Sequence, residues 1–216
     1  MIKAFLFDMD GTLVDSLPLH IEAWIETLDK YNILVDKSLI NEVNGMSTPM
    51  IADYIVKKYN LTINPVNIAL MKRAISMNKL KKGVKLFDNT LKTLVFLKKL
   101  GFFVCLATSS KLKHVELSLG SNLDFEFDKI VTQDDVKLAK PNPDIFLKCS
   151  ELLNIEPESC VVVEDSINGI IAAKKAKMKT IAITNSTDSN YLKDADIIIS
   201  NLNEINSNLI NKLNDN

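Results

Sequence analysis

Five short apolar runs are spaced along the chain, and each has the length and composition of a buried strand. Because these runs are continuous rather than alternating, they are typical of parallel strands that are covered on both faces. Helical periodicity fills most of the intervals between them. The pattern predicts an α/β fold with a doubly wound, mainly parallel sheet and right-handed crossovers. The first predicted strand ends at Phe7. The other four cover Phe102–Ala107, Lys129–Val131, Cys160–Val163 and Lys179–Ile183, and a short edge strand is predicted at Asp196–Ile199.

The segment between the first two strands has a different pattern. From about residue 15 to residue 82, apolar residues recur at helical spacing, and no run has the strength of the predicted strands. We therefore predict an inserted α-helical bundle, a cap domain of residues 15–82, on a core of residues 1–14 and 83–216. An insertion at this place covers the carboxyl edge of the sheet, and we expect it to open and close. The predicted hinges are Leu13–Ser16 and Lys82–Lys85.

Individual residues indicate where two helices begin and where the chain is expected to fray. Pro143 occupies a first-turn position of a predicted helix that reaches Leu153. Ser166 is a candidate N-cap of the helix that follows Asp165. The asparagine-rich segment after Asn201 is expected to fray.

Two carboxylates follow the first predicted strand, one residue apart. Asp8 and Asp10 point the same way if the chain is still extended there, because strand side chains alternate between faces. Carboxylates held together repel unless a cation or a shared proton intervenes. Gly11 allows a sharp turn directly after them. These features favour a metal-dependent site at the carboxyl edge of the sheet, where open α/β folds bind ligands. A simple turn is the alternative interpretation.

Later strand ends carry further polar residues of suitable chemistry. Thr108 begins a run of hydroxyls that leads into a helix, where it either bonds phosphate oxygens or caps the helix. Lys140 lies in a stiff, proline-flanked loop, where it either meets an anion or stays solvated. Glu164 and Asp165 supply a second acid pair. They either belong to the same site or begin a helix, where the helix dipole favours acids. Together these residues converge on one edge of the sheet and indicate an active site.

Composition and charge narrow the range of partners. The net charge of −1 argues against nucleic acid or an anionic membrane, because such binding usually requires a basic patch. The three cysteines are scattered and form no Cys-x-x-Cys pair, which predicts reduced, buried thiols. The two histidines are too scattered to suggest a zinc site. No apolar stretch has transmembrane length and no signal-peptide pattern is present, so we expect a cytoplasmic protein, and we predict a monomer.

The motifs resemble, in order and spacing, those of the haloacid dehalogenase-like hydrolase superfamily. Asp8-Met9-Asp10-Gly11-Thr12 is similar to its first motif, Thr108 to its second, Lys140 to its third and Glu164-Asp165 to its fourth. The resemblance covers essentially the whole chain and implies a Rossmann-like core. The inserted helices look like the small cap of the subgroup that contains β-phosphoglucomutase and sugar-phosphate phosphatases. The acid at position 10 disfavours carbon–halogen cleavage, because the dehalogenases proper lack it.

The resemblance implies a role for each acid. Asp8 attacks phosphorus and forms an aspartyl-phosphate, while Asp10 protonates the leaving oxygen and then activates water. Mg²⁺ is held by Asp8, the backbone carbonyl of Asp10, and Asp165. Glu164 either contacts this metal or supports the site as a hydrogen-bond acceptor.

The resemblance also implies which residues hold the substrate. Thr108, the backbone N–H of Ser109 and Lys140 bind the phosphoryl oxygens as their charge redistributes. His20 matches a position in the first cap helix of the mutase-like subgroup, although it could equally be a hydrogen-bonded helix residue. Trp24, one turn later, is assigned mainly to the core of the cap.

The sequence departs from this subgroup in the cap loop that contacts the substrate. The mutase grips its second phosphate with a Gly-x-Ser-Arg loop, and the matching stretch here is Gly45-Met46-Ser47-Thr48. Thr48 therefore stands where a bidentate phosphate-binding arginine would be, which counts against a bisphosphate intermediate. Arg73, the only arginine of the chain, could compensate, but we expect it to be a solvated helix residue.

These observations predict a Mg²⁺-dependent phosphatase that acts on a small phosphorylated metabolite, and they favour a sugar phosphate. The nearest alternative is a β-phosphoglucomutase-like phosphosugar mutase. A catalytically silent binding protein is a weaker alternative, because the nucleophile, the lysine and the metal acids are all present. A nucleotide kinase is disfavoured because the chain has no Gly-rich Gly-Lys-Ser/Thr loop.

Overall fold

Six parallel strands form the centre of the computed structural model, which describes residues 1–34, 39, 42, 43, 45–120 and 124–215. The strands are β1 (Ala4–Phe7), β2 (Phe103–Ala107), β3 (Lys129–Val131), β4 (Cys160–Glu164), β5 (Lys179–Ile183) and β6 (Ile197–Ile199). Their order in the sheet is β3-β2-β1-β4-β5-β6, and every pairing between them is parallel. The predicted doubly wound α/β fold is therefore confirmed.

Helices connect these strands, and those outside residues 15–82 cover both faces of the sheet. They are α1 (Leu17–Asp29), α2 (Thr48–Lys58), α3 (Pro65–Leu80), α4 (Thr90–Lys99), α5 (Leu112–Ser118), α6 (Asp144–Leu153), α7 (Ile167–Lys175) and α8 (Ser207–Asp215). Short 3₁₀ turns cover Gln133–Asp135, Pro157–Ser159, Ser189–Tyr191 and Leu202–Glu204. Ser166 caps α7 as predicted, since its Oγ accepts a hydrogen bond from Gly169 N at 3.0 Å. None of these helices is both long and apolar enough to cross a membrane.

The register of the central strands places the expected site residues at adjacent points along one edge of the sheet. Phe7, the last residue of β1, pairs with Leu106 of β2 on one side and Val163 of β4 on the other. The chain therefore leaves these three strands at adjacent points of the same sheet edge. The segments that follow β1, β2 and β4 are the ones that carry the acids and hydroxyls.

Alternate residues of each central strand enter two apolar clusters, one on each face of the sheet. Phe5 and Phe7 face α4 and α8, whereas Ala4 and Leu6 face α6 and α7. Burial on both faces explains why these strands are continuous apolar runs. Cys105, Cys149 and Cys160 are free thiols buried in the second cluster, as predicted.

The helices inserted between β1 and β2 have an apolar cluster of their own. Trp24 and Leu28 of α1 pack there with residues of α2 and α3, away from the clusters of the sheet. The two connecting segments pair with each other, since Asp15 N donates to Lys85 O at 2.9 Å. This separate cluster supports the proposed division into a core of residues 1–14 and 83–216 and a cap of residues 15–82.

The expectation that the chain frays after Asn201 is wrong. Helix α8 docks on the sheet through Ile210 and Leu213, which are buried in the cluster around Phe5. Asn214 Oδ1 also accepts a hydrogen bond from Ile2 N at 2.8 Å. The asparagine content is misleading because these apolar residues recur at helical spacing and cover an otherwise exposed face.

Replacing Leu213 tests the contribution of α8 to stability. We expect Leu213→Ala to lower the free energy of unfolding by about 2–4 kcal/mol, because it leaves a cavity at a buried apolar contact. Urea denaturation of the purified variant measures this loss. Asn211→Ala, at an exposed position of the same helix, is the matched control. Equal stability of both variants would show that the docking of α8 contributes little.

Candidate active site

Asp8 and Asp10 lie at the start of a tight loop directly after β1. Asp8 N continues the sheet by donating to Val163 O at 3.0 Å, and Gly11 takes a φ of +89°. A side chain at Gly11 would also collide with Asp165, since a Cβ there would lie 2.1 Å from Asp165 Oδ2. Glycine is therefore required both by the backbone conformation and by the close approach of the second acid pair.

Lys140 is completely buried at the centre of this site. Its Nζ donates to Asp8 Oδ1 at 2.5 Å, to Glu164 Oε1 at 2.7 Å and to the carbonyl of Ala107 at 3.1 Å. Burial acts to lower the pKa of Lys140, but the attraction of the two carboxylates outweighs it and raises the pKa above the usual range. The solvated alternative for Lys140 is therefore wrong, and its ammonium group is charged beside Asp8.

The hydroxyl run after β2 joins the core to the cap and to Asp10. Thr108 is buried, and its Oγ1 accepts a hydrogen bond from Ser110 N at 3.0 Å. Ser109 Oγ donates to the carbonyl of Gly45 in the cap at 3.1 Å, and Ser110 Oγ donates to Asp10 Oδ2 at 2.7 Å. The N-cap position of α5 is Lys111, so none of these hydroxyls serves as the simple helix cap of the alternative interpretation.

Glu164 is oriented inward by hydrogen bonds from both of its sides. Its Oε1 accepts from Lys140, while its Oε2 accepts from Ser166 N and Ser166 Oγ, each at 2.8 Å. A Cβ at Gly169 would lie 1.9 Å from the Glu164 carboxylate carbon, so α7 can approach only because this residue is glycine. Of the two roles expected for Glu164, these contacts correspond to that of an acceptor that holds the lysine.

Asp165 is buried without a cationic partner in hydrogen-bond range among the described residues. Thr12 Oγ1 donates to its Oδ1 at 3.0 Å, and Ser186 Oγ donates to its Oδ2. Burial, together with repulsion from Glu164, raises the pKa of Asp165 to about 7. Burial also raises the pKa of Asp8, and the charges of Glu164 and Asp165 add to this effect. The site thus holds more negative charge than Lys140 alone offsets.

This excess of buried negative charge fits a hard divalent cation. Asp8, Asp165 and the backbone carbonyl of Asp10 are all oxygen donors, which is the ligand type that Mg²⁺ prefers. No group of three or more His, Cys, Asp or Glu side chains in the described part of the chain could hold a metal without other ligands. The expected set does not need one, since it combines two carboxylates with a carbonyl, and Mg²⁺ commonly keeps several waters.

Asp10 receives hydrogen bonds from both domains. Ser16 Oγ donates to its Oδ1 at 2.5 Å, and His20 Nε2 of α1 lies 3.4 Å from the same atom. Burial alone would raise the pKa of Asp10, but hydrogen bonds from His20, Ser16 and Ser110 outweigh it and hold the pKa below the usual range. Asp10 is therefore an ionised carboxylate in this arrangement.

Lys72 of α3 completes this chain of contacts and was missed in the sequence. Its Nζ lies 2.9 Å from His20 Nδ1, and it is 4% exposed. A charged lysine can only donate, so His20 Nδ1 accepts and its Nε2–H is directed to Asp10. The spacing of Ile68, Lys72 and Ser76, which all lie on the buried face of α3, was the available signal. Burial lowers the pKa of Lys72 to about 8.

A cavity of about 120 Å³ lies between the cap and the core residues of the site. A single water needs only roughly 10–15 Å³ of space, so the cavity has room for a small-molecule ligand. The cap supplies an apolar wall, and both the cap and the core supply polar groups. Its lining includes Asp8, Asp10, His20, Trp24, Thr48, Lys72, Arg73, Thr108, Ser109, His114 and Gln133.

The structure revises two expectations about cap residues. Arg73 is not a solvated helix residue, because it is half-buried, lines the cavity and donates to Gln133 Oε1 at 3.2 Å. Trp24 belongs to the apolar cluster of the cap, as expected, but it also borders the cavity. Thr48 and His20 line the same space, so both remain candidates for contact with a substrate.

Comparison with known protein families agrees with this geometry. Residues 5–183 match the model of the family described as haloacid dehalogenase-like hydrolase. The chain belongs to this family. It is thus a hydrolase of the phosphatase type, with the α/β core and inserted helical cap that the resemblance implied.

Characterised relatives and solved structures are similar over nearly the full length. Hexitol phosphatase B of Escherichia coli K12 is 32% identical over 213 residues, which cover 94% of each chain. A fructose-1-phosphate phosphatase of the same organism is 32% identical over 82% of this chain and 94% of its own. The crystal structure of β-phosphoglucomutase from Clostridium difficile matches with a TM-score of 0.88 and 25% identity, covering 100% of this chain and 98% of that one.

The buried imidazole of His114 predicts a loss of stability in acid. Burial lowers the pKa of His114 to about 4, and the charges of His20, Lys72 and Arg73 act in the same direction, while Asp10 opposes them. The unfolded chain, with a histidine pKa near 6.5, therefore binds more protons than the folded protein in this range. His114 thus stabilises the fold above about pH 6.5, and this stability, up to ~3 kcal/mol, is lost as the pH falls towards 4.

Urea denaturation from about pH 7.5 to about pH 4.5 checks this expectation. The free energy of unfolding of the unmodified protein should fall more steeply with decreasing pH than that of His114→Gln, which cannot titrate. His20 remains in both proteins, so the difference isolates His114. Parallel profiles would contradict the prediction.

Proposed function

We propose that the protein is a magnesium-dependent phosphatase that hydrolyses a small phosphorylated carbohydrate through an aspartyl-phosphate. The observation that carries this proposal is the different environment of two neighbouring carboxylates that line the cavity. Asp8 lies against the buried ammonium group of Lys140, which suits a nucleophile. Asp10 is held by Ser110 of the core and His20 of the cap, which suits a group that transfers protons.

Asp8 acts in the first half of the proposed reaction. One of its carboxylate oxygens forms a bond to phosphorus as the ester P–O bond breaks, and the leaving oxygen takes a proton from Asp10. Lys140, the hydroxyl of Thr108 and the backbone N–H of Ser109 stabilise the negative charge on the phosphoryl oxygens. The product of this half is an alcohol and a phosphorylated Asp8.

Asp10 acts again in the second half. It removes a proton from a water molecule whose oxygen attacks phosphorus, and the bond between Asp8 and phosphorus breaks to release inorganic phosphate. The lowered pKa leaves the Asp10 carboxylate unprotonated and so available for this proton, but it also makes Asp10 a weak base. For the first half Asp10 must hold a proton, and an anionic phosphate bound beside it shifts the pKa in that direction.

The proposal assigns the metal to the acids that the fold leaves unbalanced. Asp8, Asp165 and the backbone carbonyl of Asp10 would hold Mg²⁺. The ion would neutralise negative charge between the Asp8 carboxylate and the incoming phosphate. Glu164 keeps Lys140 in place beside them, since it accepts one of the three hydrogen bonds that Nζ donates.

The choice of a carbohydrate rests on the relatives and on the cavity. Enzymes named for hexitol phosphates and for fructose 1-phosphate are each 32% identical to this chain. The cavity combines an apolar wall with histidine, lysine, threonine and amide groups, which suits a small polar ligand. Thr48 lines it where an arginine would bind a second phosphate in the mutase, so a substrate with a single phosphate is favoured.

Replacing the nucleophile tests the mechanism. We expect phosphate release from sorbitol 6-phosphate or fructose 1-phosphate to require Mg²⁺, to stop with EDTA, and to fall on the order of 10³-fold or more in Asp8→Asn. Asn has the same size but cannot form the acyl phosphate. Inorganic phosphate release measures this, and the exposed variant Lys113→Gln is the control.

Two other results would point to the alternatives. Interconversion of hexose phosphates with a bisphosphate primer, without net phosphate release, would favour the mutase. Absence of both activities, with the fold intact, would favour a silent binding protein.

Replacing Asp10 separates its role from that of Asp8. In Asp10→Asn, hydrolysis of alkyl phosphates should fall on the order of 10²–10⁴-fold, because the leaving oxygen receives no proton. p-Nitrophenyl phosphate has a leaving group that needs no proton, so the variant should release about one equivalent of nitrophenolate quickly and then stall at the phosphorylated enzyme. Stopped-flow absorbance detects this burst. Equal slowing of both substrates without a burst would contradict the assigned role.

A further inference from the structure

Arg73, the only arginine of the chain, lines the cavity from helix α3 of the cap. Part of its surface is exposed, and its Nη2 atom donates to Oε1 of Gln133 in the core at 3.2 Å. Because Gln133 lines the same cavity, the guanidinium group lies at the cavity wall, where a ligand can contact it. The proposed mechanism gives this group no role.

The charge of Arg73 is poorly compensated by the protein. No carboxylate lies within ion-pair distance of it among the described residues, and Asp134, which attracts it, is 3.0 Å from Lys111 Nζ. Burial outweighs the attraction of Asp134 and lowers the pKa of Arg73. A guanidinium group has five N–H donors, and the hydrogen bond to Gln133 uses one of them. Arg73 therefore retains both the charge and the donors that bind an anion.

Positive charge accumulates around Arg73. Its charge lowers the pKa of Lys72 and that of His114. The charge of Lys72 is offset by Asp10, to which it is linked through His20. Arg73 has no such link among the described residues. A single anionic group beside Arg73 would relieve this repulsion.

Arg73 lies on the side of the site where the alcohol leaves. Its partner Gln133 donates from N to Ser110 O at 3.0 Å, and Ser110 Oγ donates to Asp10, which protonates the leaving oxygen in the proposed reaction. Gln133 follows β3, and β2 separates β3 from β1, so two strand spacings place Gln133 roughly 10 Å from the chain that carries Asp8. An anion bound by Arg73 therefore belongs to the alcohol portion and not to the reacting phosphate.

The charges at this place favour a carboxylate over a second phosphate. A carboxylate carries one negative charge and accepts two parallel hydrogen bonds from a guanidinium group. A phosphate ester carries nearly two charges at neutral pH and would require a further cation. Lys111, which also lines the cavity, is already paired with Asp134, and Thr48 stands where the mutase has an arginine.

We propose that Arg73 binds a carboxylate on the alcohol portion of the substrate, so that the protein prefers a phosphorylated sugar acid to the corresponding phosphorylated sugar alcohol. The inference rests on the proposed phosphatase function and names a specificity residue within it. A site with a partly desolvated charge discriminates strongly, because the charge is left without a partner when a neutral analogue binds.

Two esters with the same carbon chain test this preference. 6-Phosphogluconate and sorbitol 6-phosphate differ only at the end opposite to the phosphate, where a carboxylate replaces a hydroxymethyl group. With Mg²⁺ present, kcat/KM for phosphate release should be about 10-fold or more higher for the acid, mainly through a lower KM. Equal values, or a preference for sorbitol 6-phosphate, would overturn the proposal.

Two variants assign the preference to Arg73. In Arg73→Gln, kcat/KM for 6-phosphogluconate should fall about 10-fold to 100-fold, whereas that for sorbitol 6-phosphate should change less than about 3-fold. Gln133→Glu leaves Arg73 in place but gives it a carboxylate of the protein itself, and it should cause the same selective loss. If Arg73→Gln does not fold, as judged by thermal unfolding, Gln133→Glu carries the comparison.

A matched control removes a positive charge elsewhere on the cap. Lys57→Gln, at an exposed position of α2, should leave the preference between the two esters unchanged. Equal losses on both esters in Arg73→Gln and Gln133→Glu would show that Arg73 only holds the cap against the core, and this result would overturn the proposal.

Fluorescence gives a readout that does not depend on turnover, because Trp24 is the only tryptophan of the chain and borders the cavity. Asp8→Asn with Mg²⁺ is titrated with 6-phosphogluconate, sorbitol 6-phosphate and sorbitol 1,6-bisphosphate. The acid should bind about 10-fold or more tightly than sorbitol 6-phosphate, and Arg73→Gln in the same background should remove this difference.

The titration also separates the inference from the proposed function. If the unmodified protein hydrolyses neither ester, the proposed function fails, and the dissociation constants still decide whether Arg73 selects a carboxylate. Tighter binding of sorbitol 1,6-bisphosphate than of 6-phosphogluconate would overturn the inference in favour of a second phosphate.

Discussion

A fully buried ammonium group holds the ends of three strands together. Lys140 Nζ donates to Asp8 after β1, to the carbonyl of Ala107 at the end of β2, and to Glu164 at the end of β4. A charge removed from water is strongly unfavourable unless it is paired, so the loop that carries Lys140 must stay against the sheet. The positions of the hydroxyls after β2 and of both acid pairs follow from this contact.

The same arrangement leaves the negative charge of the second acid pair only partly neutralised. Glu164 shares its charge with Lys140, but Asp165 receives hydrogen bonds only from hydroxyls of Thr12 and Ser186 among the described residues. Repulsion between buried carboxylates opposes folding, and sequences retain such conflicts mainly where function requires them. Gly11 and Gly169 permit the conflict, because a side chain at either position would collide with one of these acids.

The sequence allowed the core site to be predicted because its signals are local. Each acid, hydroxyl or lysine follows a recognisable strand by a few residues, and parallel strands end at one sheet edge. Lys72 and His114 were not predicted, because the contact of these residues with the site depends on how α3 of the cap docks against α5 of the core. The spacing of the buried positions of α3 already indicated that Lys72 is buried, because it lies one turn after Ile68. The C-terminal segment was mistaken for a frayed tail because composition was weighed above the spacing of its apolar residues.

Asp10 depends on the contact between the cap and the core. Ser110 reaches it from the core and His20 from the cap, and Lys72 fixes His20 from a second cap helix. If the cap moved away, Asp10 would lose His20 and with it part of the hydrogen bonding that keeps it ionised. The cavity is formed by the same contact, with an apolar wall from the cap and hydroxyls from the core. In the proposed reaction, the protonation of Asp10 and the choice of substrate would therefore both depend on this one interface, because loss of His20 raises the pKa of Asp10 and loss of the cap removes the apolar wall of the cavity.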